Sequence, residues 1–355
     1  MLETPVVYAV EKNYQIMFRV DTPAFAWIKI GDRTFDDAVC GMMRSIPGMR
    51  RITVPQALLD AAGSYTVVLQ LIEERLSYFT KTLGVESFDF AFSPVPNENP
   101  RACLLGDAHG DLEGAFKAAK ASGAFDFLIV GGDIDECTEE SKLLSAYRLA
   151  ARLTGGAKPV VYARGNHEIR GPLAELLPQF VPARNGYTYY TFRLGSIWGV
   201  VLDCGEDKAD SHEEYGGYAR FHDFRLEQTA WLRQVAARAE TEFAAPDVTH
   251  RVCIVHADFP RKDEPPFDIE RELYQIWCDL LGKMGVELIV SAHMHSYQYL
   301  LPGDPALRLR IPCPLLIGTV KRGGVVGGSG LVFGRDGVDI CFADNTGTVT
   351  PCVTY

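Results

Sequence analysis

Short runs of β-branched and aromatic residues dominate the first quarter of the chain. Gly, Pro, Asp and Asn separate these runs, and no convincing helical repeat lies between them. The runs are VVYAV, YQIMFRV, FAWIKI, RRITV, YTVVLQL and FDFAF. Short strands at this spacing predict a small all-β sandwich over residues 1–96.

A proline-rich segment follows the last of these runs. SPVPNENP, residues 93–100, holds three prolines in eight positions, so we expect it to be extended and to interrupt any ladder of backbone hydrogen bonds. We interpret it as a linker between a first domain, 1–96, and a second, 97–355. Within the first domain, the Ala-Gly-Ser-Tyr65 turn before TVVLQL resembles the tyrosine corner of fibronectin type III and immunoglobulin-like domains. This resemblance gives Tyr65 a structural role.

From residue 101 onward the pattern changes to strands that alternate with helices. Apolar runs such as CLLG and FLIV alternate with segments in which apolar residues recur at helical spacing, such as LEGAFKAAKASGA. This alternation predicts an α/β core in which helices cover a sheet. The C-terminal tail returns to strands with Gly-rich turns, and GGVVGGSG there lacks the Lys-Ser/Thr ending of a phosphate loop.

Length and composition limit the classes of function. The 355 residues are 47% hydrophobic and 23% charged, which is ordinary for a folded protein with a sizeable core. A formal net charge of −11 argues against a nucleic-acid polymer as partner, because binding phosphate backbones requires basic surface. No run approaches the ~18 apolar residues of a membrane span, and the N-terminus lacks the pattern of a signal peptide. The nine cysteines are scattered without a CxxC pair, which favours a reducing, cytoplasmic location.

Residue types that bind metals follow the apolar strands of the α/β region. The segments are GDAHG at 106–110, GGD at 131–133, GNHE at 165–168, the lone His256, and HMH at 293–295. Groups just beyond the carboxyl ends of strands converge on one crevice of an open sheet, so we expect these segments to meet. Carboxylate, amide and imidazole ligands together favour Mn, Fe or Zn. Five of the eight histidines lie in these segments, which argues against ordinary turn residues.

In this order, the five segments resemble the calcineurin-like metallophosphoesterases, a superfamily that includes purple acid phosphatases and serine/threonine protein phosphatases. The resemblance extends over about residues 101–296. It implies an α/β fold with a four-layer core, in which helices flank two mixed β-sheets. It also implies a centre of two divalent or trivalent metal ions, Mn, Fe or Zn, and hydrolysis of a phosphate monoester or diester by in-line attack of a metal-bridging hydroxide. A β-sandwich ahead of the catalytic domain is the architecture of purple acid phosphatases.

The resemblance also implies a role for each residue of the motifs. One metal ion would be held by Asp107, His109, Asp133 and His295. The other would be held by Asp133, Asn166, His256 and His293. His167 matches the family's non-ligand histidine, which is expected to act as general acid toward the leaving oxygen or to steady the phosphoryl group.

Two further residues are predicted to act near the centre. Purple acid phosphatases have a tyrosine ligand three residues after the bridging aspartate, where this chain has Glu136, so an iron–tyrosinate centre is not expected. Protein phosphatases have an aspartate there that orients the catalytic histidine, and Glu136 is predicted to do the same for His167. Arg164 matches an arginine directly before the same motif in protein phosphatases. It is a candidate phosphate clamp, with a structural ion pair as the alternative. Glu168 stays open between a catalytic part and a partner of neighbouring residues.

The predicted function is therefore that of a cytoplasmic metallophosphoesterase with a small-molecule phosphate ester as substrate. A phosphoprotein phosphatase is favoured by Arg164 and opposed by the sandwich and by the missing Arg-Gly after the second motif. A scaffold that keeps the fold without the chemistry is opposed by the complete ligand set. For Arg170, His212 and His222, solvated loop positions are favoured over a substrate pocket. For the N-terminal domain, binding of a partner and shaping of the cleft both stay open.

Overall fold

The computed structural model describes residues 2–354, and side chains up to residue 350. The first part of the chain contains β1 (Val6–Val10), β2 (Asn13–Val20), β3 (Ala24–Ile30), β4 (Arg33–Asp36), β5 (Gly48–Pro55), α1 (Gln56–Ala62), β6 (Ser64–Arg75) and β7 (Thr80–Ala91). The middle contains β8 (Arg101–Leu105), α2 (Leu112–Ala121), β9 (Phe127–Val130), α3 (Glu140–Leu143), α4 (Ser145–Thr154), β10 (Pro159–Tyr162), β11 (Tyr190–Leu194) and β12 (Ile197–Leu202).

The remainder alternates strands and helices before a final set of hairpins. It contains α5 (Phe221–Ala237), β13 (His250–Val255), α6 (Arg271–Lys283), β14 (Leu288–Ser291), β15 (Gln298–Leu300), β16 (Leu315–Ile317), β17 (Val320–Arg322), β18 (Val325–Gly334), β19 (Gly337–Asp344) and β20 (Val349–Thr354). Short 3₁₀ turns occur in the connections, including His167–Ile169 directly after the start of the GNHE segment.

Two mixed sheets form the centre of the molecule. One has the order β20-β19-β18-β8-β9-β10-β1-β2-β5, with β17 beside β18, and the other has the order β11-β12-β13-β14-β16-β15. Their facing sides share one apolar core, in which Ile129 and Val161 of the first sheet lie with Ile254 and Val290 of the second. Because side chains alternate between the two faces of a strand, the outward-facing residues pack under helices.

Helices cover both outer faces. On the first sheet, Leu128 of β9 and Val160 of β10 pack with residues of α2 and α4, such as Ala118 and Leu149. On the second, apolar residues of β12 and β13 pack with residues of α5 and α6, including Trp277. The arrangement is helix, sheet, sheet, helix, which confirms the predicted four-layer α/β core.

The N-terminal region is all-β apart from the short α1, and it adds to the core rather than standing beside it. Strands β4-β3-β6-β7 form a separate antiparallel sheet that packs on β2 and β5. The strand β1, however, pairs in parallel with β10, so β1, β2 and β5 continue the first central sheet. The predicted sandwich therefore shares one of its sheets with the catalytic region, and the domain boundary at residue 96 stays a prediction.

Two local features join the N-terminal region to the rest. The hydroxyl of Tyr65 donates to the carbonyl of Gly156 at 3.0 Å, so this buried residue has the expected structural role but not the local bond of a tyrosine corner. In the predicted linker, the Ser93 amide donates to the Ala157 carbonyl at 2.8 Å, and Val95 is buried. The segment is therefore fastened to the catalytic region and does not act as a free tether.

The parallel strands carry the motifs to one edge of the two sheets. Neighbouring β8, β9 and β10 run in parallel, as do β12, β13 and β14. The carboxyl ends of β8, β9 and β10 lead into the GDAHG, GGD and GNHE loops, and those of β13 and β14 lead into His256 and the HMH segment. This placement agrees with the rule that ligands bind beyond the carboxyl ends of strands.

Candidate metal centre

The predicted ligands lie in strained backbone. Asp107, His109, Asp133, His293 and His295 have φ angles of 51°, 45°, 53°, 72° and 49°. Residues with a Cβ seldom adopt this left-handed region, and each such residue costs about 1–3 kcal/mol unless the surroundings impose it. Five strained positions among seven predicted ligands indicate that the fold holds these side chains for a function.

Two glycines allow the GGD and GNHE loops to touch. A Cβ on Gly132, whose φ is +88°, would lie 2.5 Å from the backbone nitrogen of Gly165, and a Cβ on Gly165 would lie 2.1 Å from Oδ1 of Asp133. No side chain fits in either place. The glycines therefore bring Asp133 and Asn166 to the same point.

Asp107, His109 and His295 form the first group of ligand atoms, all within 4.8 Å of one another. Nε2 of His295 lies 3.1 Å from Nε2 of His109 and 3.6 Å from Oδ1 of Asp107. Asp107 is fully buried, and its Oδ2 accepts a hydrogen bond from the Thr319 hydroxyl at 2.5 Å. Nδ1 of His295 lies 3.1 Å from the Lys321 carbonyl, and a proton shared with that oxygen leaves Nε2 free to bind a metal.

Asp133, His256 and His293 form the second group, again within 4.8 Å. Nε2 of His256 lies 3.2 Å from Oδ2 of Asp133, and its Nδ1 lies 2.7 Å from the Gly131 carbonyl. Burial alone would lower the pKa of His256, but the adjacent carboxylate of Asp133, aided by Asp107, raises it to about 10. The negative charge of these carboxylates, which favours a proton on His256, equally favours a metal cation beside it.

The amide of Asn166 completes this second group and tests whether a cation fits. Its Oδ1 lies 3.2 Å from both Nε2 of His256 and Oδ2 of Asp133, and 3.3 Å from Nδ1 of His293. Two oxygen atoms and two ring nitrogen atoms thus face one another, an arrangement that requires a positive charge among them, either a proton on His256 or a metal cation. A divalent or trivalent cation satisfies all four, and the mixed oxygen and nitrogen donors suit the metals that the sequence predicts.

Asp133 belongs to the second group and lies beside His109 of the first, with ligand atoms of the two residues within 4.8 Å of each other. Its Oδ2 lies 3.2 Å from His256 and 4.0 Å from Nε2 of His109. Burial, together with His167 and His295, lowers the pKa of His109 to about 4 despite the opposing charge of Asp133, so His109 is in the neutral form that binds metals. A shared carboxylate between two ligand groups is the arrangement of a two-metal site.

His167 lies at the rim of this centre. Its Nε2 is 3.9 Å from Oδ2 of Asp133, its Nδ1 is 3.5 Å from Oε1 of Glu136, and its side chain is 25% exposed. Its backbone amide donates to Oδ1 of Asp133 at 2.8 Å. The side chain is therefore within reach of a group bound at the metals, and Glu136 lies where the orienting carboxylate is predicted.

Glu168 belongs to neither ligand group and holds the loops together. Its Oε2 accepts from the amides of Asp133 and Gly165 at 2.7 and 3.0 Å, and its Oε1 accepts from the amide of Ile134 at 2.8 Å. These three bonds join the GGD loop to the GNHE loop. Of the two roles left open by the sequence, the contacts match that of a partner of neighbouring residues.

Glu168→Gln should destabilise the protein without removing a metal ligand. The amide NH₂ of glutamine would face a backbone N–H that now donates to Glu168, so we expect the free energy of unfolding to fall by about 1–3 kcal/mol. Urea unfolding of the metal-free protein measures this change. Glu227→Gln, on the exposed face of α5, is the matched control and should leave the midpoint unchanged. Equal stability of both variants would contradict the assigned role.

The structure places Arg164 in a different environment from the one the clamp prediction requires. Its Nε lies 2.8 Å from Oδ2 of the fully buried Asp203, and its guanidinium lies 5.5 Å from the Phe224 ring centroid. This is the structural ion pair that the sequence left as the alternative.

Arg170 is the arginine in contact with the centre. Its NH1 lies 3.2 Å from Nε2 of His167, and its Nε and NH2 donate to the two carboxylate oxygens of Glu206 at 3.1 Å each. The sequence favoured a solvated loop position for Arg170, and that expectation is wrong. Glu206 and Thr319 were also missed. The signal for Glu206 was available, because GEDK at 205–208 follows β12 just as the other motifs follow their strands.

A cavity of about 220 Å³ opens beside His293. Its walls are mainly apolar and include the rings of Phe259, Phe267 and Tyr274. Four carboxylates and one guanidinium also line it: Glu206, Asp207, Asp258, Asp263 and Arg308. Its position next to a predicted metal ligand makes it the candidate site for the organic part of a substrate.

Comparison with known proteins decides the family. A family model, that of the calcineurin-like phosphoesterases, matches residues 100–297, which is more than half of the chain. The chain belongs to this family. It is therefore a metallophosphoesterase, a hydrolase. The family uses divalent metal ions, and the two ligand groups of this chain are candidate metal sites.

One solved structure shows the same fold over nearly the whole chain. A purple acid phosphatase from yellow lupin seeds (Lupinus luteus) has 15% sequence identity and a TM-score of 0.64, covering 99% of this chain and 74% of its own. A dimetal phosphatase from Danio rerio has 12% identity and a TM-score of 0.49, covering 74% of this chain and 100% of its own. No curated protein matches the chain. Because the lupin match includes the N-terminal strands, the predicted purple acid phosphatase-like architecture is confirmed.

Among the described residues of this phosphoesterase, no helix has both the length and the apolar character needed to cross a membrane.

Proposed function

We propose that this phosphoesterase hydrolyses a small-molecule phosphate monoester or diester at a centre of two metal ions, Mn, Fe or Zn. One metal would be held by Asp107, His109, Asp133 and His295, and the other by Asp133, Asn166, His256 and His293. The observation that carries the proposal is the position of Asp133, whose Oδ2 lies 3.2 Å from His256 of the second ligand group and 4.0 Å from His109 of the first. Two bound cations would neutralise phosphoryl charge and would activate a water molecule as the nucleophile.

The residues of the chain would handle the proton of the leaving group. His167 stands at the rim, where its imidazole can donate to the leaving oxygen as general acid. Glu136, 3.5 Å from Nδ1 of His167, would hold the imidazole in orientation and stabilise its protonated form. Both roles rest on the resemblance and on these distances.

The charges around the cavity beside His293 support a preference for substrates whose organic group is cationic or neutral. Asp207 and Asp263 line the cavity. Asp263 lies 3.6 Å from Arg261, but Arg261 also pairs with Asp258 at 2.8 Å, so its positive charge is shared by two carboxylates. Negative charge on the organic group of a substrate would therefore be repelled. A cationic or neutral group on the aromatic walls would be accepted.

Three phosphate monoesters of similar size test this preference. We expect kcat/KM to fall in the order phosphoethanolamine, ethyl phosphate, phosphoglycolate, with about a tenfold loss for the anionic ester because carboxylates line the cavity. Asp263→Asn should narrow the gap between ethyl phosphate and phosphoglycolate. Phosphoglycolate turnover equal to that of ethyl phosphate would show that the ester group binds elsewhere.

The alternative of a phosphoprotein phosphatase has less support than before. Its main argument was Arg164, and Nε of that residue is engaged by Asp203.

For the location we propose the cytoplasm, because the eight cysteines whose side chains are described are all free, as expected in a reducing compartment.

The proposed function is tested by turnover of p-nitrophenyl phosphate and its bis ester with the Mn²⁺-loaded protein. Hydrolysis of either compound, abolished by a chelator and restored by added Mn²⁺, is the expected result. Activity that persists after chelation, or no hydrolysis of either compound by the metal-loaded protein, would overturn the proposal.

A further inference from the structure

The ion pair between Arg170 and Glu206 stands directly against the metal centre. Both contacts of the pair are 3.1 Å long, which is the two-point geometry that matches a guanidinium to a carboxylate. Glu206 is 1% exposed, so its charge is removed from water and its position is fixed. A buried carboxylate of this kind holds the guanidinium in one orientation.

Glu206 is itself held by its surroundings. The Tyr215 hydroxyl donates to Oε2 of Glu206 at 3.3 Å, and the buried Arg225 donates to the Glu206 carbonyl at 2.6 Å. The contact from the loop after β12 holds the carboxylate of Glu206, and the contact from α5 holds its backbone. Arg170 therefore extends from a rigid support.

The edge of the guanidinium that does not face Glu206 points at the residues that would meet a substrate. NH1 of Arg170 lies 3.2 Å from Nε2 of His167, and NH2 lies 2.8 Å from the side-chain amide of Asn166. A guanidinium has five N–H donors, and the pair with Glu206 uses two of them. The remaining donors lie beside a predicted proton donor and a predicted metal ligand.

We propose that Arg170 binds the non-bridging oxygens of the phosphoryl group at the metal centre, and that Glu206 is the residue that positions it. The inference rests on the proposed function, since it assumes that the phosphoryl group binds between the two ligand groups. It replaces Arg164 as the candidate phosphate clamp, because Arg164 pairs with Asp203 whereas Arg170 contacts His167. The ligand class is a tetrahedral oxyanion, either the phosphoryl group of the substrate or the phosphate product.

Binding of inorganic phosphate to the Mn²⁺-loaded protein tests the inference without relying on turnover. In calorimetric titrations, Arg170→Gln should weaken phosphate binding about 10- to 100-fold, because a charge-assisted contact is lost, while the protein keeps two metal ions per chain. Arg148→Gln is the matched control. Arg148 also pairs with a carboxylate, Glu3 at 3.1 Å, but on the surface of α4, so its loss should leave phosphate affinity unchanged.

Glu206→Gln separates positioning from simple structural support. If Glu206 acts through Arg170, the substitution should weaken phosphate binding severalfold in the wild-type background and have no further effect in the Arg170→Gln background. A change that only destabilised the fold would weaken binding in both backgrounds. Part of the affinity should return in Arg170→Lys, which keeps the charge and loses the fork.

The outcomes distinguish this inference from the proposed function. Arg170→Gln protein with two metal ions and wild-type phosphate affinity would overturn the inference and leave the proposed function intact. If Arg170→Gln cannot be recovered folded, Arg170→Lys carries the test, and an unchanged phosphate affinity in that variant overturns the inference. Wild-type protein that binds no metal would instead overturn the proposed function.

Discussion

Replacing Asp133 with asparagine should lower kcat/KM for p-nitrophenyl phosphate by about a thousandfold or more and reduce the number of bound metal ions. Asp133 is buried, and its Oδ2 lies between His256 at 3.2 Å and His109 at 4.0 Å. Asparagine has nearly the same shape but lacks the negative charge, and it offers one oxygen where the carboxylate offers two. A centre that loses its shared ligand loses several kcal/mol of transition-state stabilisation, which corresponds to this factor.

Steady-state kinetics and metal analysis of the same samples measure the Asp133→Asn effect. Asp126→Asn is a suitable control, because Asp126 precedes β9 at the end opposite to Asp133 and accepts from the Arg101 amide at 2.8 Å. The control should keep its activity within a factor of about two, as is usual for a surface change. Wild-type turnover by Asp133→Asn would rule out a shared carboxylate at the reaction site.

His167→Gln should lower kcat by about 10²–10⁴ for an alkyl phosphate while two metal ions remain bound. The side chain lies at the rim, 3.9 Å from Oδ2 of Asp133, so it is placed to donate a proton and is not part of either predicted ligand set. The contact that it makes through its backbone amide to Asp133 survives the substitution. The expected defect therefore lies in proton transfer and not in metal binding.

The leaving group provides the sharper form of this test. p-Nitrophenolate departs without a proton, so His167→Gln should affect p-nitrophenyl phosphate at least about tenfold less than ethyl phosphate. Equal losses for both substrates, accompanied by loss of metal, would instead make His167 a ligand. That outcome has a structural counterpart, because a ring nitrogen of His167 also lies within 4.8 Å of ligand atoms of His109 and Asp133.

The sequence predicted that the candidate metal ligands would lie together, because their placement follows one simple rule. Asp107, Asp133 and Asn166 come after three neighbouring parallel strands, and His256 and His293 come after two more. The residues beyond the carboxyl ends of parallel strands lie at one edge of a sheet, so spacing along the chain was sufficient to bring these side chains together. The role of Gly132 and Gly165 in the close approach of two loops is likewise explained by their lack of a side chain.

Long-range pairing could not be predicted in the same way. The strand β1 joins β10, about 150 positions later in the chain, and nothing local in VVYAV distinguishes a sandwich strand from an extension of the catalytic sheet. The two arginines near the GNHE motif present a similar problem. Which of them faces the centre depends on where Asp203 and Glu206 lie, and the loop after β12 determines that.

The number of metal ions per chain tests the central claim most directly, namely that Asp133 joins two metal sites. The protein is loaded with Mn²⁺ and freed of excess metal. Its manganese content per chain is measured by elemental mass spectrometry, and its phosphatase activity is measured on the same sample. We predict two ions per chain in the wild type, fewer in Asp133→Asn, and activity that rises and falls with occupancy. A single ion per chain at full activity, or activity that persists in a metal-free sample, would contradict the account.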